Sequence, residues 1–176
     1  AAFSQETEYD AINRPINIVD AAETATTIEY SISSDAGASA LKTKTIVPQN
    51  ANQSIISETY KDVQGKVIAT MNLGDNEIWT KFNYNGIGEL TEYIDAAGLT
   101  TKYTYDLLGR KMSVDHPDQG TTHYTYDKAS NLTELYTANL SNSGELIQYS
   151  YDRNRLTSIV YPATNGTNLS NVDFKY

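Results

Sequence analysis

The sequence has 176 residues, with 22 acidic and 13 basic side chains and a formal net charge of −9, and it contains no cysteine. The negative charge argues against nucleic acid and anionic membrane surfaces as partners, and the lack of cysteine excludes disulfides, thiolate metal sites and cysteine nucleophiles. Fourteen tyrosines against three phenylalanines favour a half-buried β-sheet.

The beginning of the chain carries no targeting signal that we recognise. Ala1–Gln5 lacks a basic stretch followed by an apolar one, and no later segment approaches the roughly 18 apolar residues that a membrane helix needs. We therefore expect no membrane insertion. The chain has no initiator methionine and stops inside a motif at Phe174–Tyr176, so we expect a fragment of a longer protein.

Along the chain, an aromatic or similar residue, one spacer and a tyrosine recur. The second tyrosine of this pattern stands at eight positions: Tyr9, Tyr30, Tyr60, Tyr84, Tyr105, Tyr126, Tyr151 and Tyr176. The steps between them are 21, 30, 24, 21, 21, 25 and 25 residues. This spacing predicts a unit of about 21 residues with insertions, so internal repeats dominate the architecture.

A turn signature follows most of these tyrosines, and Tyr105–Arg110 is the clearest copy. The Asp or Asn after the tyrosine can accept a hydrogen bond from the backbone two residues on, and Gly or Asn three positions later suits a positive φ. The copy at Tyr60 has one extra residue before its Asp, and the copy at Tyr151 has one fewer before its Arg.

A second turn signature completes each unit, as in His116–Gly120, where Pro117 and Gly120 are typical turn residues. The chain then alternates with period two over Thr121–Tyr126. Each unit is therefore predicted to hold two strands and two turns, and successive units to continue one antiparallel meander. The fold class is predicted as all-β, a repetitive hairpin meander.

Two stretches depart from the period, near residues 33–58 and 137–147, and we expect inserted loops there. Residues 35–44 are the best helical candidate, but they lie in the longest step, where a loop is the simpler interpretation. Since no segment sustains a 3.6-residue apolar period, we expect little or no helix.

The repeated unit, Tyr-x-Tyr-Asp-x-x-Gly-Arg followed by Pro-x-x-Gly, resembles the tyrosine-aspartate (YD) repeats of Rhs proteins. These repeats occur in bacterial Rhs toxins, in the B and C components of insecticidal toxin complexes and in teneurins. The repeat-defining positions are Tyr9, Asp10, Tyr84, Tyr103, Tyr105, Asp106, Gly109, Arg110, Pro117, Gly120, Tyr124, Tyr126, Asp127, Tyr149, Tyr151 and Asp152. Residues 1–176 would hold about seven such units.

The resemblance implies a long β-sheet wound into a curved, hollow shell that encloses another polypeptide, often a toxic domain of the same chain. It further implies a secreted or cell-surface bacterial protein whose partners are the rest of its shell and the enclosed cargo. An Asp-Pro-type autoprotease signature of bacterial members is missing, because the nearest string, Asp115–Asp118, is a repeat turn. The chain is thus expected to be a wall segment.

The alternatives are a binding module and an enzyme. The tyrosine rows, or loops at residues 34–44 and 141–144, could engage a cell-surface glycan or protein, although tyrosines that recur with the fold are explained by the half-buried sheet. The repeated aspartates are explained by turn capping, and Asn72–Glu77 lacks the spacing of a calcium loop. His116 and His123 each lie inside a repeat. We therefore expect no catalytic residues, metal or cofactor.

The open strand edges of such a sheet also favour association. An unpaired edge is a template for further strands. We therefore expect edge-to-edge self-association of the isolated chain.

Overall fold

A computed structural model describes residues 5–50, 52–143, 145–162 and 171–176. Two compact units divide the chain, the first made of Ala1–Asn83 with Tyr93–Gly98 and the second of Tyr84–Glu92 with Leu99–Tyr176. No helix in the described part of the chain is long and apolar enough to cross a membrane.

Seven strands build the first unit: β1 (Glu6–Tyr9), β2 (Pro15–Val19), β3 (Ala25–Ser33), β4 (Ala40–Asn50), β5 (Gln53–Lys61), β6 (Val67–Leu73) and β7 (Glu77–Tyr84). Each pairs antiparallel with the next strand in sequence. Strand β8 (Leu90–Ile94) is divided between the units.

The second unit repeats this arrangement with β9 (Thr100–Tyr105), β10 (Lys111–His116), β11 (Gly120–Tyr126), β12 (Leu132–Tyr136), α1 (Ala138–Ser143), β13 (Ile147–Asp152), β14 (Arg155–Val160) and β15 (Val172–Asp173). Consecutive strands again pair antiparallel. The predicted all-β hairpin meander is confirmed in both units.

Register shifts recur beside the repeat tyrosines. The pairing slips between Glu8 and Tyr9, between Tyr60 and Lys61, and between Thr125 and Tyr126. Such β-bulges bend a strand and redirect side chains next to a turn. The bulge is therefore part of the repeating unit.

The core is small and lies in the first unit. Tyr60 and Ala69 are fully buried, Ala40 and Met71 nearly so, and Trp79 packs against this cluster half-exposed. Six of the described residues are buried in all. Strand side chains elsewhere keep contact with solvent, so pairing of neighbouring strands, more than a deep core, holds each unit together.

The loop expected near residues 33–58 is wrong for most of its length. Strands β4 and β5 occupy 11 and nine residues there and pair from Leu41–Lys61 to Asn50–Gln53. The step from Tyr30 to Tyr60 is long because its strands are long. Thr43 and Thr45 alternate with lysines, and residues 42–45 are all partly exposed, so this stretch of strand carries polar side chains without an apolar face.

The second expected insertion, near residues 137–147, separates β12 from β13 and contains α1, the one helix within the described ranges. Gly120 makes room for it: a Cβ there would lie 2.6 Å from the Cβ of Ala138. Gly144 lies outside the described residues, as do 163–170.

Candidate functional site

The turn after the repeat tyrosine, here called the YD turn, is a self-contained hydrogen-bonded structure. Asp106 Oδ1 accepts from the backbone N–H groups of Leu108 at 2.9 Å and Arg110 at 3.0 Å. The N–H of Asp106 donates to the Arg110 carbonyl, and the N–H of Gly109, at φ 77°, donates to the Asp106 carbonyl. One carboxylate therefore satisfies two backbone donors that strand pairing leaves over.

The same pair of carboxylate or amide bonds, to the residues two and four positions on, recurs in other turns. It is made by Asp10, Asp20, Asp62, Asn85 and Asp127. Asp20 lies in a turn that the repeat pattern did not single out. The Asp152 copy is shorter because Arg153 and Asn154 both have positive φ, which is the two-residue type I′ hairpin turn.

Arg110 joins one YD turn to the next. Its Nε lies 2.6 Å from Asp106 Oδ2, and its Nη1 donates to the carbonyl of Asp127 at 2.8 Å. The backbone bond from Arg110 and its guanidinium hold the pKa of Asp106 below its usual value, against the opposing effect of burial. The charged pair therefore ties successive hairpins together along one edge of the second unit.

The hydroxyl groups of the repeat tyrosines form a second link between neighbouring hairpins, which the sequence did not predict. Four of them donate to a carbonyl at the first or second residue of an earlier strand, at 2.9–3.1 Å: Tyr30 to Pro15, Tyr105 to Leu90, Tyr126 to Lys111 and Tyr176 to Leu156. An arginine also lies over three of these rings, at 4.0–5.6 Å from the centroid: Arg14 over Tyr30, Arg110 over Tyr126 and Arg155 over Tyr176. The tyrosine, with its hydroxyl bond and the arginine over its ring, therefore links neighbouring hairpins, and this link is here called the tyrosine staple.

The repeat-defining residues are distributed over successive hairpins. Their tyrosines lie in strands, as Tyr9 in β1, Tyr84 in β7, Tyr103 and Tyr105 in β9, Tyr124 and Tyr126 in β11, and Tyr149 and Tyr151 in β13. Their Asp, Gly, Arg and Pro residues lie in or beside turns, with Pro117 and Gly120 at the β10–β11 turn. The structure therefore brings these residues together between neighbouring hairpins, as Arg110 with Asp106, Tyr126 and Asp127, and spreads such groups along the described part of the chain.

The two histidines lie apart from any such link. His116 ends β10, and its Nδ1 accepts from the backbone N–H of Asp118 at 3.2 Å. His123 lies exposed in β11. The hydrogen bond from Asp118 to His116 therefore helps to close the β10–β11 turn.

One repeat departs from this arrangement. In β5 the residue directly before the turn is Lys61, paired with Val67, where other copies have tyrosine. The extra residue moves Tyr60 one position back, and a one-residue shift sends a side chain to the opposite face of the sheet. Tyr60 therefore leaves the tyrosine staple and enters the core of the first unit.

Around Tyr60 lies a set of charged groups, here called the polar cleft. The hydroxyl of Tyr60 donates to Glu58 Oε2 at 2.5 Å and lies 3.4 Å from Asp35 Oδ2. Lys42 Nζ lies 2.8 Å from Glu58 Oε1 and 3.3 Å from Asp35. Glu58 is 6% exposed, so this is a largely buried ion pair.

The electrostatics of the polar cleft follow from that burial. Burial and the hydrogen bond to Glu58 raise the pKa of Tyr60 to about 12. Burial lowers the pKa of Lys42, but its hydrogen bonds to Glu58, Tyr60 and Asp35 outweigh burial and raise that pKa above its usual value. Lys42 is therefore charged and Tyr60 neutral at ordinary pH.

Trp79 forms the other wall of the polar cleft. Its ring centroid lies 5.4 Å from that of Tyr60, with the planes inclined by 35°. Its indole N–H donates to Glu77 Oε2 at 2.9 Å, and Lys81 Nζ lies 6.0 Å from its centroid. These groups line an open cavity of about 650 Å³. Trp79 is the one tryptophan of the sequence, and it is the sequence signal that could have pointed to this site.

The fold and its turns define a protein built from antiparallel β-hairpin repeats that are stapled by Tyr, Asp and Arg. Residues 84–121 match the family model for the RHS Repeat. Over these residues the match agrees with the YD-repeat resemblance that the sequence pattern predicted. No curated protein matches it.

Two crystal structures have a similar fold. One is titled TcdB2-TccC3-Cdc42, with 17% identity and a TM-score of 0.56. The other is TcdB2-TccC3 without hypervariable C-terminal region, with 18% identity and a TM-score of 0.53. Each match covers 98% of this chain, which spans 11% of the length of the solved chain.

Proposed function

We propose that this chain is a structural wall segment of an Rhs/YD-repeat shell that encloses or scaffolds a toxin or effector polypeptide, with no catalytic activity of its own. The family repeat and the fold shared with TcdB2-TccC3 structures support a structural repeat role. The proposal adds to this the enclosed polypeptide and export to the cell surface or beyond.

The observation that carries the proposal is a set of uncovered aliphatic side chains on the YD turns. These crest residues sit one or two positions after the turn Asp or Asn: Ile12 is 70% exposed, Val63 100%, Ile87 82%, Leu107 106% and Leu108 71%. The polar groups of these turns are already satisfied within the turn. Exposed aliphatic side chains that recur at the tips of several YD turns are therefore best explained by a surface that covers them.

Turns of the same chemistry elsewhere carry small residues in place of the crest residues. The Asp20 turn has Ala21 and Ala22, and the Asp95 turn has Ala96 and Ala97. Large aliphatic groups on one class of turn and alanines on another are suited to contact between successive runs of repeats, where large side chains pack against small ones. A wall made of many runs would cover the crest residues in this way.

The mechanism is passive. Each added hairpin pairs with the previous one and extends the wall without new chemistry. Enclosure would separate an unfolded or toxic polypeptide from its surroundings until release, and the acidic surface would keep so large a sheet soluble.

The test uses the full-length natural protein that contains this chain. We expect its cargo polypeptide to resist a broad-specificity protease that digests the same polypeptide when it is expressed alone. The double change Leu107→Asp and Leu108→Asp should make the cargo protease-sensitive, because it places two charges on a covered apolar contact. Lys128→Asp, at the matching position of the next YD turn, removes no aliphatic group and should leave protection intact.

A folding control keeps this test decisive. Leu107 and Leu108 are exposed, so the circular dichroism of the 176-residue chain should not change on substitution. Cargo that is cleaved equally fast in the unaltered full-length protein and alone would contradict the proposal.

A further inference from the structure

In the polar cleft the chemistry of the repeat is replaced by other chemistry. Tyr30, Tyr105, Tyr126 and Tyr176 donate to backbone carbonyls, whereas Tyr60 donates to Glu58. Lys42 and Glu58 are an ion pair with side chains 17% and 7% exposed. Burying such a pair is costly, and a well-packed apolar pair is often as stable, so stability alone does not account for it.

The groups that face the cavity form a recognition set of their own. Trp79 is half-exposed, and Glu77, which accepts its indole N–H, lies exposed at the rim with Lys81. Asp35, 55% exposed, stands on the other side and is held by Lys42. An aromatic ring is therefore flanked by carboxylate acceptors and ammonium donors. Asp35, Lys42 and Glu58 are held by bonds among themselves, and Glu77 accepts from the Trp79 indole.

We propose that the polar cleft binds a neutral saccharide, with a sugar ring stacked on Trp79 and its hydroxyls hydrogen-bonded to Glu77, Asp35 and Lys81. The apolar C–H face of a pyranose suits an indole ring, and sugar hydroxyls both donate to carboxylates and accept from ammonium groups, in charge-assisted bonds. The cavity of about 650 Å³ lies within the range of small-molecule sites.

The charge of the cleft selects among saccharides. Three carboxylates (Asp35, Glu58 and Glu77) face two ammonium groups (Lys42 and Lys81). Lys42 is already committed to Glu58 and Asp35 at 2.8 and 3.3 Å. An acidic sugar would bring a further negative charge to a site with a net negative one, so uronic acids should bind more weakly than their neutral counterparts.

The tryptophan makes the test direct, because the chain contains only one. The 176-residue chain is titrated with glucose, galactose, N-acetylglucosamine and their β-linked oligomers while Trp79 fluorescence is recorded, with glucuronate as the acidic comparison. We expect a saturable change with at least one neutral saccharide and a weaker response to glucuronate.

Variants separate the cleft from the rest of the sheet. Glu77→Gln should weaken binding about tenfold, the effect of losing one charge-assisted bond. Glu6→Gln, an equal charge change on an exposed residue of β1, should leave it unaltered. Trp79→Ala should abolish binding. Because this variant has no tryptophan fluorescence, its binding is measured by ligand-observed NMR.

Three results would overturn the proposal. One is no saturable response to any neutral saccharide in the tens of millimolar. Another is equal binding of glucuronate, and the third is a folded Trp79→Ala chain that binds as well as the original. If an oligopeptide quenches Trp79 fluorescence and no saccharide does, the proposal is also overturned, because no saccharide then binds.

Discussion

At the scale of single residues, the repeat tyrosine is a hydrogen-bond donor as much as a strand former. Tyr105 and Tyr126 donate to carbonyls 15 residues earlier in the chain, and the Arg110 guanidinium lies 4.9 Å from the ring centroid of Tyr126. The ring thus packs on the sheet while its hydroxyl fixes the distance to the neighbouring hairpin. This explains why tyrosine, and not phenylalanine, is the main aromatic residue of the chain.

Removing one such hydroxyl has a measurable cost. We expect Tyr105→Phe to lower the free energy of unfolding by about 1 kcal/mol, because the carbonyl of Leu90 loses its 2.9 Å partner. Urea denaturation of the 176-residue chain measures this. Tyr103→Phe is the matched control, since the Tyr103 hydroxyl makes no such bond within the described part of the chain, and it should change stability by less than about 0.5 kcal/mol. Equal effects of the two variants would contradict the role given to the hydroxyl.

Tyr60 predicts a pH dependence at the alkaline end. Its pKa is raised to about 12 in the folded chain, mainly by burial, against a usual value of 10.0. Above pH 10 the unfolded chain therefore loses this proton first, and stability falls as pH rises from about 10 to about 12. Chemical denaturation at several pH values should show this fall.

The variant Tyr60→Phe isolates the contribution of Tyr60. It should be less stable than the original chain at neutral pH, since Glu58 loses a bond, but it should lose less stability between pH 10 and 12. Other tyrosines with a raised pKa, such as Tyr105 and Tyr149, remain in both chains. An alkaline loss that is the same in both chains would contradict the assignment.

At the scale of elements, the hairpin and its two turns are the unit of structure. Gly98 and Gly120 stand in turns with φ of 80° and 71°, which side-chain-bearing residues rarely adopt. At Gly120 there is a second constraint, because its missing Cβ makes room for Ala138 at the start of α1. One glycine thus serves both the turn and the docking of the insertion.

Three glycine substitutions separate these effects. Gly120→Ala should cost about 2–3 kcal/mol, from the positive φ and the contact with Ala138 together, and Gly98→Ala about 1 kcal/mol, from φ alone. Gly86→Ala, where nothing lies within 4 Å and φ is not positive, should stay within about 0.5 kcal/mol of the original. Urea midpoints give the order. If Gly98→Ala is as costly as Gly120→Ala, α1 does not pack on that turn.

The turns of this fold could be predicted from the sequence, whereas strands β4 and β5 could not. Turn position and hairpin order followed from the sequence because Asp106, Gly109 and Arg110 interact within five residues of each other. The loop expected at 33–58 was wrong because the pairing that makes β4 and β5 strands lies between residues far apart, such as Thr43 and Thr59. The alternation of lysines and threonines over residues 42–45 contains no apolar position, so it gives little local signal for a strand.

The polar cleft lay beyond sequence reasoning for the same reason. Lys42, Glu58 and Trp79 come from three strands and meet only through cross-strand register. The irregular copy at Tyr60, with Lys61 inserted before its Asp, was visible in the sequence. Its consequence, a tyrosine sent to the other face, required the pairing of Lys61 with Val67.

At the scale of the whole molecule, the crest residues are aliphatic side chains without a cover in the described part of the chain. Within each unit the strands pair in sequence order and few side chains are buried, while Leu107, Val63 and Ile87 stand almost fully exposed. A wall in which further runs of repeats cover these turns accounts for that pattern. The edge-to-edge self-association expected of the isolated chain concerns the open strand edges and stays a separate prediction.

Cryo-electron microscopy of the full-length natural protein tests most directly whether this chain is part of a shell wall that encloses a polypeptide. The account predicts a closed, hollow shell in which residues 84–121 form part of the wall, Leu107 and Leu108 are covered by a neighbouring run of repeats, and the interior holds density for an enclosed polypeptide. Repeats that form an open sheet with Leu107 and Leu108 facing solvent and no enclosed density would contradict it.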